Sequence, residues 1–182
     1  MVDVSKSTSR KKAATDPATA DWAPWFDGET VPDGQDLRQA IETLFFAYRD
    51  STSDPDQVLS SVGYGRAHHR VLHFVGRNPD ITVQDLLKIL NITKQSLARV
   101  LGAMVRDGYI AQTPGERDRR LRHLTLTDSG KQLEAACSRP QQDRVTRAFQ
   151  RAGPEAVDGY RRVLSELINA DSRDAVLAMI RK

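Results

Sequence analysis

Two short amphipathic helix patterns separated by about three residues, then an arginine-rich strand–loop–strand, constrain this chain more than any other feature. Thr82-Val83-Gln84-Asp85 reads as a capping box, and Val83, Leu86, Leu87 and Leu90 put an apolar stripe on a short helix ending near Asn91. Thr93 is a good N-cap for the next helix. There Leu97, Val100, Leu101, Met104 and Val105 fall at the spacing of a helix docked on a core, and Gly108 is placed to end it. Its other face carries Lys94, Gln95, Ser96 and Arg99 in the first two turns, where a recognition helix meets base edges and phosphates, and these four with Thr93 are the expected major-groove residues. Two strand candidates, Tyr109 to Gln112 and Arg122 to Leu126, flank a polar loop from Thr113 to Leu121. Arg117, Arg119, Arg120 and Arg122 crowd that hairpin, a thin cationic element shaped for a narrow, electronegative minor groove.

A few cations on a helix face are usually no more than solvated surface. Here the whole constellation and its charge decide otherwise. Residues 65–130 hold eleven Lys/Arg against six Asp/Glu, a net +5, whereas the whole chain is only +3. Positive charge is thus concentrated in the candidate reader segment, as counterion release at phosphates requires.

The run Asp118-Arg119-Arg120, with Leu126-Thr127 and Gly130 following, resembles the wing signature of MarR-family transcriptional regulators. The preceding VLHFVGRNPDITVQDLLKIL and ITKQSLARVLGAMVRDGYI are similar to that family's second, third and fourth helices, and the likeness covers roughly Val62 to Leu133. The resemblance implies a mainly α fold: a winged helix-turn-helix with a two-stranded β wing, carried by N- and C-terminal dimerisation helices. It also implies that Arg120 is the groove-inserting arginine and that Asp118 orients the wing guanidinium groups. Which of Arg119, Arg120 and Arg122 reaches DNA stays open at this point.

Around this module, residues 1–35 read as a disordered or partner-packed arm, 36–60 as a first dimerisation helix and loop, 61–130 as the DNA-binding domain and 131–182 as C-terminal dimerisation helices. Lys6, Arg10, Lys11 and Lys12 make the arm somewhat like a transit peptide, but Asp3, Asp16 and its prolines favour an arm over a targeting signal. Trp22, Trp25 and Phe26 suggest that part of it packs on the body or a partner. Leu37, Ile41, Leu44, Phe45 and Tyr48 predict a helix from Asp36 to about Ser51, followed by a turn-prone STSDPDQ stretch. After the wing, Thr127 should cap a helix from Asp128 to Ala152. Pro154 should open another to Asn169, and Asp171-Ser172 should cap a last one. Val157, Tyr160, Val163, Leu164, Leu167 and Ile168 give the Pro154 helix a wide apolar face, more than a module this size covers alone. A homodimer on a pseudo-palindromic operator is expected, with half-site centres about 10 bp apart.

His69 and His73 stand at i and i+4, a spacing that holds metal ligands, but no Cys or carboxylate cluster in sequence completes a site. No metal or other cofactor is expected. Since small ligands often bind where heads meet the dimerisation helices in MarR-family proteins, both histidines are candidate effector contacts. Cys137 is the only cysteine and reads as a buried thiol rather than a redox sensor. A nucleotide-binding glycine loop, an HExxH run and a nucleophile elbow are all absent, so catalysis is not expected. No apolar run reaches membrane-spanning length, and the expected location is cytoplasmic. The alternative is a winged protein-interaction module, which the arginine-rich wing disfavours. RNA binding is weaker still, for want of stacking aromatics on the reader face.

Overall fold

A computed structural model describes residues 34–181, so the expectations for the arm over residues 1–33 lie outside the described residues. The described chain divides into two compact units, residues 40–150 and the terminal segments 34–39 with 151–181. Its elements in order are α1 (Gly34–Ser60), α2 (Arg66–Arg77), β1 (Ile81–Thr82), α3 (Val83–Leu90), α4 (Lys94–Arg106), β2 (Ile110–Pro114), β3 (Arg122–Leu126), α5 (Asp128–Ala152), α6 (Pro154–Leu167) and α7 (Ala170–Ile180).

The core of the larger unit is built from the predicted stripes. Val71, Leu72 and Val75 of α2, Leu86 of α3, and Leu97, Val100, Leu101 and Met104 of α4 are buried together with Ile110 and Leu124 of the sheet. Ile81 of β1, Leu59 of α1 and Cys137 of α5 complete it. The β2–β3 hairpin is the expected two-stranded wing, and β1 adds a third strand to its sheet among the described residues, in the order β1-β3-β2, by pairing antiparallel with β3 through Ile81–Leu124 and Thr82–His123. Two residues are too few to show the alternation by which a strand is read from sequence. On the other side β2 runs on to Pro114, opposite Arg122, so the hairpin arms are equal in length.

The largest departure is in α1. STSDPDQ is helical rather than a turn, although Pro55 removes the N–H that the Ser51 carbonyl would accept. Tertiary contacts outweigh that loss. Pro55 and Thr52 are buried, Asp54 takes the Arg144 guanidinium at 2.8 and 2.9 Å, and Asp56 takes that of Arg66 at 3.0 and 2.9 Å. The Thr52 hydroxyl also donates to the Tyr48 and Arg49 carbonyls, which holds the turn just before the proline.

The α4–β2 and β3–α5 junctions meet through glycines. Gly108 has φ +79°, a left-handed conformation that favours glycine. Gly130, third residue of α5, lies so close to the Tyr109 carbonyl that a Cβ there would stand 2.0 Å from its oxygen. Thr127 caps α5 as expected: its hydroxyl accepts from the Gly130 N–H (3.1 Å) and donates to the Gly108 carbonyl at 2.7 Å.

In the smaller unit α6 and α7 meet at a corner held by Arg173. This side chain reaches the Glu166 and Ile168 carbonyls and pairs with the Glu166 carboxylate at 2.8 Å. The N-cap of α7 is Asn169, ahead of the expected Asp171-Ser172, and no side chain caps it. Tyr160, Val163 and Leu167 of α6 are all at least half exposed, as are Ile41 and Phe45 of α1 in the larger unit. No helix among the described residues is long and apolar enough to cross a membrane.

Candidate nucleic-acid interface

α3 and α4 are joined by a turn at residues 91–93, in which Asn91 takes the left-handed conformation (φ 48°) as the C-cap of α3. Asparagine tolerates that conformation better than most side chains. Burying Leu97, Val100, Leu101 and Met104 turns Lys94, Gln95, Ser96 and Arg99 to solvent, and all four are exposed. Thr93 accepts from the Ser96 N–H (3.2 Å) and donates to the Ser96 hydroxyl (2.9 Å), so its hydroxyl hydrogen is used within the helix cap. Ser96 keeps its own hydroxyl hydrogen for a partner.

The expected reader residues lie on two sides of α4. A groove of about 650 Å³ brings Lys94 together with Arg120 and Arg122 of the wing, and is also lined by Gln84 of α3 and Gln112 of β2. Ser96 and Arg99 instead line a smaller hollow of about 220 Å³ with Arg70 of α2. Arg117 belongs to neither and faces a third concavity below the wing loop, with Asp118 and His123. Gln84, Gln112 and Arg70 are additions that sequence reasoning missed. Each is an exposed polar residue in its own element, and only the fold shows that it borders a reader residue.

At the wing tip, residues 118–121 form a turn closed by the Leu121 N–H to the Asp118 carbonyl at 3.0 Å. Asp118 acts on the backbone here: its Oδ1 accepts from the Arg120 N–H at 2.9 Å, where orientation of a guanidinium was expected. The reason is distance along the chain, since a carboxylate at the first position of a turn reaches the N–H two residues on. Arg117, Arg119, Arg120 and Arg122 are exposed and enter none of the ion pairs found among the described residues. Their charge is therefore not neutralised by a neighbouring carboxylate.

The histidines lie elsewhere in this unit. His69 is buried with its Nε2 unpartnered, and burial, followed by the neighbouring His73, lowers its pKa. His73 Nδ1 lies 3.6 Å from Glu134. No group of three or more potential ligands that could hold a metal ion occurs among the described residues. Cys137 is fully buried, and burial pushes its thiol up to about 11.

Fold and surface together define a winged helix-turn-helix protein with a cationic reader face. A family model described as the MarR family matches residues 62–121. The HTH-type transcriptional regulator PetP of Rhodobacter capsulatus is 47% identical over 139 residues, which is 76% of this chain and 84% of PetP. Among solved structures, Streptococcus pneumoniae FabT in complex with DNA aligns with a TM-score of 0.65 at 22% identity, covering 72% of this chain and 94% of that one. A mutant MarR from E. coli complexed with operator DNA aligns with a TM-score of 0.58 at 18% identity, covering 73% and 96%. These two likenesses show the fold. The extent of the match to PetP shows the family: the chain belongs to the MarR family and is a DNA-binding transcriptional regulator.

Proposed function

We propose that the chain reads a pseudo-palindromic operator as a cytoplasmic homodimer. Gln95 and Lys94 would enter the major groove, and Arg120, with Arg119 and Arg122, would meet the minor groove and its phosphates. The observation that carries this is the shared groove in which Lys94 of α4 stands with Arg120 and Arg122 of the wing. Arg117, Ser96 and Arg99 would add phosphate contacts beside it. Thr93 would set the helix start and Asp118 the wing turn, each acting through the backbone it caps. FabT and MarR, whose folds this chain shares, were solved bound to DNA.

A second copy of the chain is the natural cover for the exposed faces of α1 and α6. A small-molecule effector would act by altering the spacing of the two heads, with the unpartnered Nε2 of His69 and the neighbouring His73 offered as polar contacts. No catalytic role is assigned to any residue.

Arg120→Ala tests the wing. Removing one phosphate contact should lower the slope of log affinity against log salt by about 0.9 on operator and random duplex alike. An unchanged slope and affinity would remove Arg120 from the interface. Leu164→Asp on α6 tests the dimer, since it would place an unpaired carboxylate in the covered face. A folded Leu164→Asp protein that stayed dimeric by light scattering would place the interface elsewhere.

A further inference from the structure

The sheet at the root of the wing contains a histidine that the DNA-reading residues do not account for. His123 is the second residue of β3, the central strand of the sheet, with Thr82 of β1 opposite it on one side and Thr113 of β2 on the other. Its Nδ1 lies 3.1 Å from the Asp80 carbonyl oxygen and 3.2 Å from Asp80 Oδ1. Both of those atoms are acceptors, so Nδ1 must carry the hydrogen. The other end of the ring faces the wing loop. A Cβ added to Gly115 would stand 3.2 Å from His123 Nε2 and 2.7 Å from the Asp118 carbonyl oxygen.

The imidazole therefore lies between two parts of the backbone, bonded to one and facing the other across the space that a Cβ on Gly115 would fill. On one side Asp80 is held, its N–H donating to the Leu124 carbonyl at 3.1 Å and its φ of 69° being a conformation open to few side chains. On the other side Gly115 is tied to the wing tip. Its N–H donates to the Leu121 carbonyl (3.0 Å), Leu121 closes the turn onto Asp118 (3.0 Å), and Asp118 fixes the Arg120 N–H. A shift of the ring would pass through Gly115 to the turn that carries Arg119 and Arg120.

We propose that His123 is the positioning residue of the wing: bonded to Asp80 through Nδ1 and facing Gly115 through its other edge, its ring sets the angle at which residues 118–121 present Arg119 and Arg120 to DNA. This rests on the reading of the wing arginines as DNA contacts, and the test separates the two. Salt-dependent anisotropy titrations of a fluorescein-labelled random-sequence duplex are run on the full chain. His123→Phe keeps a ring and removes the donor. His123→Asn keeps a donor near Nδ1. Gly115→Ala crowds both His123 Nε2 and the Asp118 carbonyl from the loop side while keeping the imidazole and its donor to Asp80. A variant with Arg117, Arg119, Arg120 and Arg122 all changed to Ala supplies a wing without its cationic contacts.

His123→Phe and Gly115→Ala should each lower the salt slope by about one to two units, and His123→Asn, which keeps a donor to Asp80 but loses the ring edge toward Gly115, should fall between His123→Phe and wild type. In the wing-less background His123→Phe should change nothing further, which a general loss of stability would not reproduce. His123→Phe with wild-type slope and affinity, or with an equal loss in the wing-less background, would overturn the inference and leave the wing contacts standing. If His123→Phe does not fold, a wild-type slope for Gly115→Ala overturns it. A wing-less variant with the wild-type slope would overturn the wing reading and the inference with it.

Discussion

Gly130→Ala should destabilise this protein by about 3 kcal/mol, although alanine is the better helix former. The added carbon would stand 2.0 Å from the Tyr109 carbonyl oxygen, and a Cβ needs at least 3.0 Å there. The start of α5 must therefore withdraw from the β2 root by about 1 Å, the smallest shift that brings the pair to the normal limit of contact. That lengthens the Thr127 hydroxyl bond to the Gly108 carbonyl from 2.7 Å, and the Thr127 N–H bond to the Tyr109 carbonyl from 3.1 Å, both past hydrogen-bond range. Two neutral hydrogen bonds contribute about 0.5–1.5 kcal/mol each, and the overpacking costs about 1–3 kcal/mol. Against this, glycine-to-alanine in a helix returns about 1 kcal/mol, leaving a net loss of roughly 1–5 kcal/mol. For a chain of this size that is a fall in Tm of about 6–12 °C at the central value. Urea unfolding followed by circular dichroism measures it directly. A loss under about 0.5 kcal/mol would mean that α5 can move without disturbing the wing root, and would refute the reasoning.

Gln95→Ala should cost about 1–3 kcal/mol on the operator and spare random duplex, since Gln95 is exposed on the first turn of α4 where an amide can pair with adenine; equal losses on both would make it a positioning residue. Acidification should destabilise the fold. His69 has its pKa lowered by burial and by His73, so the unfolded chain binds the extra proton; the stability is present above the unfolded value of about 6.5 and is lost as pH falls through the lower folded value. Melting curves between neutral and mildly acidic pH should show this fall, and His69→Gln should flatten it; equal slopes in both proteins would exclude His69 as the source. Cys137, with its thiol pushed up to about 11, should react with a disulfide reagent far more slowly in the native protein than in denaturant. Comparable rates would show that the core around α5 opens readily.

Most of the reader module is legible without a structure because its signals are local. Thr82 and Thr93 cap the helices as read, since a capping hydroxyl needs only the N–H three residues on. The stripe of Leu97, Val100, Leu101 and Met104 is buried as its 3.6-residue period requires, and that burial alone exposes Lys94, Gln95, Ser96 and Arg99. Pro154 opens α6, because a proline at the first helical position sacrifices no hydrogen bond.

What the chain order could not show is decided by contacts between distant residues. STSDPDQ has the composition of a turn, yet Arg144 and Arg66 hold Asp54 and Asp56 in a continuous α1, at separations of 90 and 10 residues. β1 exists only because Leu124 and His123 lie beside it. Gly130 is visible in sequence as part of a spacing, but its need for a hydrogen in place of a Cβ comes from the Tyr109 carbonyl of another element. The same holds for the site. Sequence identifies the cations of helix and wing, and the tertiary structure alone divides them, placing Lys94 with Arg120 and Arg122 and placing Arg99 with Arg70. Caps and periods act over three or four residues and are written in the chain itself. The partners of a carboxylate, an imidazole or a glycine are set by packing, which brings together residues that the sequence keeps apart.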